Sequence, residues 1–304
     1  MGLSAKEREA LLTQWIKPSS DSEQDQQERA ERMVKNAVSA SDQLKRSRHR
    51  IYTKGSYRNN TNVRRDSDVD VVVELYECVY YDYFPGVTPE SKSDSYTGSW
   101  NPTTWRTAIR QALENYFGAS EVDSSGKIAI EISEKLGSRP STDVVPSFEY
   151  HRYDSADQSN YHVGSCVFTR DTETKIVNWP QQQYDNGVAK NNLTGGRYKR
   201  FVRALKNAEN VLVAAGNISD LPSYFMECLV YNASNYSLKY GSSLSDGFSQ
   251  TLVDLYGDLN DGTAFDTWQE PNELKWLFKG AQKWSVEDGK KLIAETWSYL
   301  GYGD

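Results

Sequence analysis

Cysteine and histidine are scarce in this sequence. The 304 residues include three Cys and three His, widely separated along the chain. Neither type occurs at the spacing of a metal site, and an odd number of cysteines argues against a disulfide framework. We therefore expect buried thiols and a cytoplasmic location. The cysteines are Cys78, Cys166 and Cys228.

Long apolar segments and excess positive charge are lacking as well. No run approaches the roughly 18 apolar residues of a membrane span. Residues 1–7 lack the apolar core of a signal peptide. The formal net charge is −7, so indiscriminate nucleic-acid binding through a basic surface is not expected. These absences predict no membrane association and no stable nucleic-acid partner.

The sequence does contain enough apolar residues for a sizeable core. Hydrophobic residues make up 38% and charged residues 25% of the chain, as in globular proteins. Two domains are expected at this length. We predict a core with N-terminal helices over residues 1–178 and a helical lobe over residues 179–304.

The segment around residue 70 carries the strongest local pattern. Val69 and residues 71–73 are β-branched and predict a strand. Side chains alternate along a strand, so Asp68 and Asp70 share a face. Two close carboxylates raise each other's pKa unless a cation lies between them, and Mg²⁺ prefers such oxygen ligands. The alternative is a solvated strand edge, where charge prevents unwanted pairing.

A Gly-Ser pair precedes these aspartates. Ser56 lies 12 residues before Asp68 and 14 before Asp70, directly after Gly55. A glycine lets the backbone approach a phosphate, the following N–H groups can face an anion, and a serine hydroxyl can donate to it. A Gly-Ser turn followed by Asp-x-Asp on a strand is the arrangement of nucleotidyltransferases built like DNA polymerase β.

Asp143 is the candidate for a third carboxylate. It lies 73 residues after Asp70 and opens the apolar segment 142–150, which reads as a strand able to pair beside the first. Three carboxylates suit two Mg²⁺ ions, with Mn²⁺ as an alternative, in a site that activates a ribose hydroxyl and stabilises departing pyrophosphate. The other interpretation of Asp143 is an ordinary strand-start residue in a turn.

Helical patterns account for most of the remaining chain. Ser4 and Glu7 form a capping box that begins a short helix, and a thin apolar stripe from residue 21 to about 49 predicts one long helix. Asn101 and Pro102 open a helix that reaches Phe117. Residues 76–100 read as a loop. Further helices are predicted over 197–215, 221–232, 245–259 and 285–300.

With these features laid out, the chain resembles the cGAS/DncV-like nucleotidyltransferases (CD-NTases) of bacterial anti-phage defence, over roughly residues 25–300. The resemblance implies an α+β fold. A polymerase-β-like catalytic core of mixed sheet and helices would follow a long N-terminal spine helix, and a C-terminal helical lobe would close the nucleotide cleft of a bilobed protein. The resemblance rests on Lys54-Gly55-Ser56-Tyr57, Arg65-Asp66-Ser67-Asp68-Val69-Asp70-Val71, Thr142-Asp143-Val144-Val145-Pro146, and a basic helix followed by Pro222-Ser223-Tyr224.

The resemblance also implies roles for individual residues. It implies Asp68, Asp70 and Asp143 as catalytic metal ligands, and Gly55 and Ser56 as contacts of the NTP triphosphate. A helix lysine and a later serine would also hold the phosphates. These nucleotide-binding positions fall on Lys206, Ser223 and Tyr224, with Arg203 and Lys199 as alternatives to Lys206.

The activity implied by the resemblance is the joining of ATP, GTP or other NTPs into a cyclic di- or trinucleotide second messenger. The implied partners are an effector protein that the product activates and ancillary regulatory proteins. Two alternatives remain: an enzyme of the same fold that modifies an antibiotic, a protein or RNA, and an inactive nucleotide-binding module. The negative net charge disfavours a long RNA acceptor, and the three carboxylates disfavour the inactive module.

Overall fold

The computed structural model describes residues 3–18, 21–63, 68–90, 96–280 and 282–303. Internal contacts divide the chain into two compact units. We call Ser20–Tyr57 with Arg65–Pro180 the sheet unit. Met1–Ser19, Arg58–Arg64 and Gln181–Asp304 form the helical unit. The domain boundary after residue 178 stays a prediction. The contacts assign the N-terminal residues and the segment after residue 57 to the same unit as the C-terminal residues.

The described residues of the sheet unit form one mixed sheet of seven strands. β2 and β5 are its parallel pair, and the other pairs are antiparallel. The strand order is β1-β2-β5-β4-β3, with β6 beside the second half of β5 and β7 beside β6. The strands are β1 (His49–Thr53), β2 (Val69–Tyr83), β3 (Val122–Asp123), β4 (Ile130–Ile132), β5 (Thr142–Tyr153), β6 (Tyr161–Phe168) and β7 (Lys175–Asn178).

Three helices contribute to this part of the chain: α2 (Asp21–Ser39), α3 (Gly55–Asn59) and α4 (Pro102–Phe117). The predicted bounds of α4 are confirmed, and the Asn101 side chain caps its first turn. The buried residues Trp105, Ile109 and Leu113 form one stripe on α4. The indole N–H of Trp105 donates to the Val73 carbonyl at 3.2 Å. α4 therefore covers one face of the sheet, and it supplies part of the crossover that a parallel pair requires.

The long N-terminal spine helix is not confirmed. α2 ends at Ser39, ten residues before the predicted end. Beyond it, a 3₁₀ turn spans Leu44–Arg46, and the Ser41 hydroxyl accepts from the Leu44 N–H. His49 begins β1 and pairs with Leu75. Short polar side chains near residue 40 compete with helical hydrogen bonds, and strand pairing then fixes the chain in the extended form.

β2 extends further than predicted. Residues 76–83 were expected in a loop, but the strand continues to Tyr83 beside β5. Leu75 pairs with Phe148 and Val79 with Glu149, so three extra residues on β2 shift the register between them. The tyrosines and valine that follow favour extended backbone. The loop that remains is shorter, and its residues 84–90 and 96–100 are described.

α6 (Arg197–Ala214) and α7 (Ser223–Asn232) both contribute to the buried core of the helical unit. The predicted capping box of Ser4 and Glu7 is confirmed. Phe201 and Leu205 of α6 and Phe225 of α7 belong to one buried cluster. Within the described ranges, no helix combines the length and apolarity that crossing a membrane requires. The helices are α1 (Ala5–Trp15), α5 (Pro180–Leu193), α6 (Arg197–Ala214), α7 (Ser223–Asn232), α8 (Asn235–Lys239), α9 (Leu244–Asp261), α10 (Thr263–Thr267) and α11 (Val286–Tyr299).

The tryptophans of the helical unit differ in exposure. Trp268 is buried, and the ring of Trp284 stacks on Phe225 with 5.2 Å between centroids. Trp276 is 43% exposed instead. The Lys279 ammonium lies 4.0 Å above its ring. A cation at that distance is attracted to an indole face without burial of the ring.

Candidate active site

The parallel pair β2 and β5 brings two of the predicted metal ligands together. Asp70 is the register partner of Asp143, and paired positions on neighbouring strands present their side chains to the same face. Glu131 of β4 is the partner of Asp143 on its other side. Three acidic side chains thus form a row across three strands. Asp68 precedes β2 by one residue and is exposed.

Burial and repulsion by neighbouring carboxylates raise the pKa of Asp143 and of Asp70. The pKa of Asp143 rises to about 6, through burial first and then the charges of Asp68, Asp70 and Glu131. Burial also raises the pKa of Asp70, and the Asp68 charge adds to the rise. The Lys54 ammonium acts in the opposite direction on both groups. A cation placed between the carboxylates would relieve this repulsion.

The donor set fits a divalent metal in its chemistry. Asp68, Asp70 and Asp143 offer carboxylate oxygens, the ligands that Mg²⁺ prefers. As the side chains stand, however, no three His, Cys, Asp or Glu groups in the described part of the chain enclose a metal position. Strand register and ligand type therefore support a metal site, and metal dependence stays a proposal.

Gly55 lies against the carboxylate of Asp70. A Cβ at residue 55 would lie 2.6 Å from Asp70 Oδ2, which is shorter than any normal contact. The φ of Gly55 is +75°, in the region that favours glycine. The Lys54 N–H donates to the Asp70 carbonyl at 3.1 Å. Conformation and space both require glycine here, and Ser56 follows it in α3.

Gly55→Ala is expected to lower nucleotide turnover by roughly tenfold to a hundredfold. The added methyl group would overlap Asp70 Oδ2 and push the Asp70 carboxylate out of position. Gly86→Ala is the matched control, since Gly86 has a φ of +91° and nothing within 4 Å of its added Cβ. In the control the substitution adds only backbone strain, of about 1 kcal/mol, and no steric overlap. Initial rates and melting temperatures of both variants check this. Equal turnover in the two variants would show that the space beside Asp70 is unimportant.

The predicted nucleotide contacts in the helical unit differ in exposure. Lys206 is 3% exposed, and its Nζ lies 3.5 Å from the Thr61 hydroxyl. Arg203 is also buried. Ser223 is exposed as the first residue of α7. Nucleotide binding by these side chains stays a prediction, and Ser223 is the one whose hydroxyl is open to a ligand without rearrangement.

Tyr224 and Lys199 already contact other groups of the helical unit. The Tyr224 hydroxyl donates to Glu270 Oε2 at 3.2 Å. Lys199 is half-buried, with its Nζ 5.8 Å from the centre of the Tyr184 ring. Burial lowers the pKa of Lys199. Their contacts with nucleotide likewise stay predictions.

Comparisons with known proteins show which family the chain belongs to. A family model described as the cGAS/DncV-like nucleotidyltransferase C-terminal helical domain matches residues 185–301. The cyclic dipyrimidine nucleotide synthase CdnE of Legionella pneumophila is 36% identical to the chain, over 96% of the chain and 97% of the relative. The chain belongs to the cGAS/DncV-like nucleotidyltransferases.

Two further proteins resemble this CD-NTase over almost its whole length. The cyclic dipyrimidine nucleotide synthase CdnE of Cecembia lonarensis is 34% identical, over 98% of the chain and 100% of the relative. A structure of the Elizabethkingia meningoseptica CdnE cyclic dinucleotide synthase with GTP and Apcpp is 30% identical, with a TM-score of 0.80 over 97% of this chain and 99% of that one. The predicted α+β fold, with a mixed sheet and a helical C-terminal region, is confirmed.

Two residues near Asp143 have no role assigned from the sequence, Lys54 and Glu131. Lys54 directly precedes Gly55, and its charge lowers the pKa of Asp143. Glu131 is the exposed residue between the buried Ile130 and Ile132. The alternation along β4 marks Glu131 as outward-facing, but the partner strand that places it beside Asp143 is not visible in the sequence.

Part of the predicted motif cannot be placed. Arg65, Asp66 and Ser67, which precede Asp68 in the sequence, lie outside the described residues. Residues 91–95 of the predicted loop also lie outside them. The site as described therefore consists of Asp68, the β2–β5 pair with β4, and the turn at Gly55.

Proposed function

We propose that this CD-NTase condenses NTPs into a cyclic di- or trinucleotide second messenger in anti-phage signalling. The observation that carries the proposal is the pairing of Asp70 with Asp143, with Gly55 packed against the Asp70 carboxylate. Acidic groups beside a glycine-serine turn suit the transfer of a nucleotidyl group. The three relatives named above are synthases of cyclic nucleotides, which supports the same product class.

Each condensation forms one bond and breaks one. The oxygen of a 2′- or 3′-hydroxyl bonds to the α-phosphorus of a second NTP, the bond to the bridging oxygen breaks, and pyrophosphate and the hydroxyl proton leave. The same exchange within the linear product closes the ring. Asp68, Asp70 and Asp143 would hold two Mg²⁺ ions, with Mn²⁺ as an alternative, which lower the hydroxyl pKa and neutralise phosphate charge. Gly55 leaves room beside Asp70, and the Ser56 hydroxyl donates to a phosphate oxygen.

The partners follow from this chemistry. ATP, GTP or other NTPs are the substrates, and the product acts on an effector protein, with ancillary proteins as regulators. We place the enzyme in the cytoplasm, where NTPs are abundant and thiols stay reduced. Cys78, Cys166 and Cys228 are free thiols and all buried. Two relatives are named for pyrimidine products and the third was solved with GTP, so family membership leaves the base preference open.

Incubation of the purified chain with α-labelled ATP, GTP, CTP and UTP and Mg²⁺ tests the proposal. We expect a small labelled product that resists phosphatase, because a ring has no terminal phosphate, and a mass spectrum gives its bases. The Asp70→Asn variant controls for contaminating enzymes. Label that enters only added RNA, protein or an aminoglycoside would identify another acceptor. Binding of NTP without turnover would identify an inactive module.

A further inference from the structure

The last residue of α3 and the residues just after it bury polar side chains in the helical unit. Asn59 is 7% and Thr61 1% exposed, and Asn60 between them has a φ of +53°. Asparagine adopts this left-handed conformation more readily than most residues with a side chain, but buried polar groups are costly unless they are hydrogen-bonded. Other groups must therefore hold residues 59–61 in place. This segment connects α3, which begins at Gly55, to the chain that enters β2.

Glu227 of α7 supplies the hydrogen-bond acceptors for this segment. The Asn59 side-chain amide donates to Glu227 Oε1 at 2.9 Å, and the Thr61 hydroxyl donates to Glu227 Oε2 at 2.9 Å. Gln183 of α5 donates to Oε1 at the same distance. Glu227 is 4% exposed. One buried carboxyl group thus binds two side chains of the segment.

Two basic residues of α6 complete the arrangement. Arg203 Nη1 donates to the Asn60 carbonyl at 2.6 Å, and its Nε donates to the Ile16 carbonyl at 2.8 Å. Lys206 Nζ lies 3.5 Å from the Thr61 hydroxyl. Burial lowers the pKa of Lys206, while the nearby Glu227 charge opposes that change. A buried positive charge needs a compensating group, and Glu227 provides it.

We propose that Glu227, Lys206 and Arg203 are positioning residues that fix the backbone of residues 59–61. Through the short helix α3, which contains both Gly55 and Asn59, they would orient the turn that receives the triphosphate. The inference rests on the proposed function of that turn. It gives Lys206 and Arg203 an internal role, in contrast to the direct phosphate contact predicted from sequence. The two roles lead to different kinetics.

The test uses the full chain with Glu227→Gln and Thr61→Val, which keep the shape of each side chain. We expect kcat to fall about tenfold or more while KM for NTP changes less than about threefold, because a displaced turn impairs reaction geometry more than binding. Amide exchange over residues 55–61 should become faster. Controls are Asp254→Asn, whose carboxylate accepts from Ser234 and Ser237, and Thr251→Val, a buried threonine of α9. Both controls should leave kcat and that exchange unchanged.

Lys206→Met separates the two roles of the lysine. If Lys206 is a positioning residue, Lys206→Met should lose as much kcat as Glu227→Gln. The double variant should then be no slower than the slower single variant, because both changes disrupt the same hydrogen-bond network. A raised KM with unchanged exchange over 55–61 would overturn the inference and favour phosphate contact. Unchanged kcat and exchange in Thr61→Val would also overturn it, even if Glu227→Gln fails to fold. If the wild-type chain forms no product, that result counts against the proposed function. Amide exchange over residues 55–61 alone then tests the positioning role.

Discussion

Asp70→Asn and Asp143→Asn are each expected to reduce product formation by roughly a thousandfold or more. Asparagine keeps the size of the side chain but removes the negative charge that a cation needs. Stabilisation of transferred phosphate charge amounts to several kcal/mol, and each 1.36 kcal/mol is about tenfold in rate. Initial rates at saturating NTP and Mg²⁺ measure the loss. The fold should persist, because both positions lose an unfavourable buried charge.

Asp171→Asn is the control for this pair of variants. Asp171 lies in the turn between β6 and β7 and pairs with Lys127 at 3.6 Å, largely in solvent. Exposed pairs of this kind contribute little to stability, so rate and melting temperature should stay close to wild type. If Asp143→Asn and the control both react at the wild-type rate, the reaction does not depend on the acidic row of Asp70, Asp143 and Glu131.

The strand β2 could be predicted from the sequence because the pattern that marks it is local. Alternation along a valine-rich strand places Asp68 and Asp70 on one side without knowledge of any partner. Asp143 needed more than alternation. The sequence shows that residues 142–150 favour extended backbone, but parallel pairing in the register that joins Asp143 to Asp70 depends on the crossover and on neighbouring strands. A shift by one residue would have turned Asp143 to the opposite face.

Features that depend on distant contacts could not be predicted. The resemblance implies nucleotide contacts for Arg203 and Lys206, yet both are buried, and they contact Ile16 and residues 60–61 from more than 140 positions away. The end of α2 likewise depends on the pairing of β1 with β2. Tertiary contacts override local propensity in both places, and helical periodicity alone gives no sign of them.

Asp143→Asn is also expected to change the sign of its effect on stability when Mg²⁺ is added. The pKa of Asp143 is about 6 in the folded chain, against an ordinary 3.8. The folded chain therefore favours the protonated form of this carboxyl. Its contribution to stability is fully present below pH 3.8 and is lost as the pH rises through about 6. Asparagine does not ionise, so without metal the variant should gain about 1 kcal/mol over wild type near neutral pH, after allowance for solvent screening. For a chain of 304 residues that gain is about 1–2 °C in melting temperature.

With saturating Mg²⁺ the wild type should become more stable than Asp143→Asn. Mg²⁺ held by the deprotonated wild-type carboxylates would stabilise the folded chain. At a hundred times the dissociation constant this stabilisation is about 3 kcal/mol. Melting curves of both proteins between pH 4.5 and 8, with EDTA or with Mg²⁺, measure this without any nucleotide. We expect the Mg²⁺ response of wild type to weaken as the pH falls below about 6, where protons compete for Asp143. A variant that remains more stable than wild type in Mg²⁺ at neutral pH would show that Asp143 is not a metal ligand.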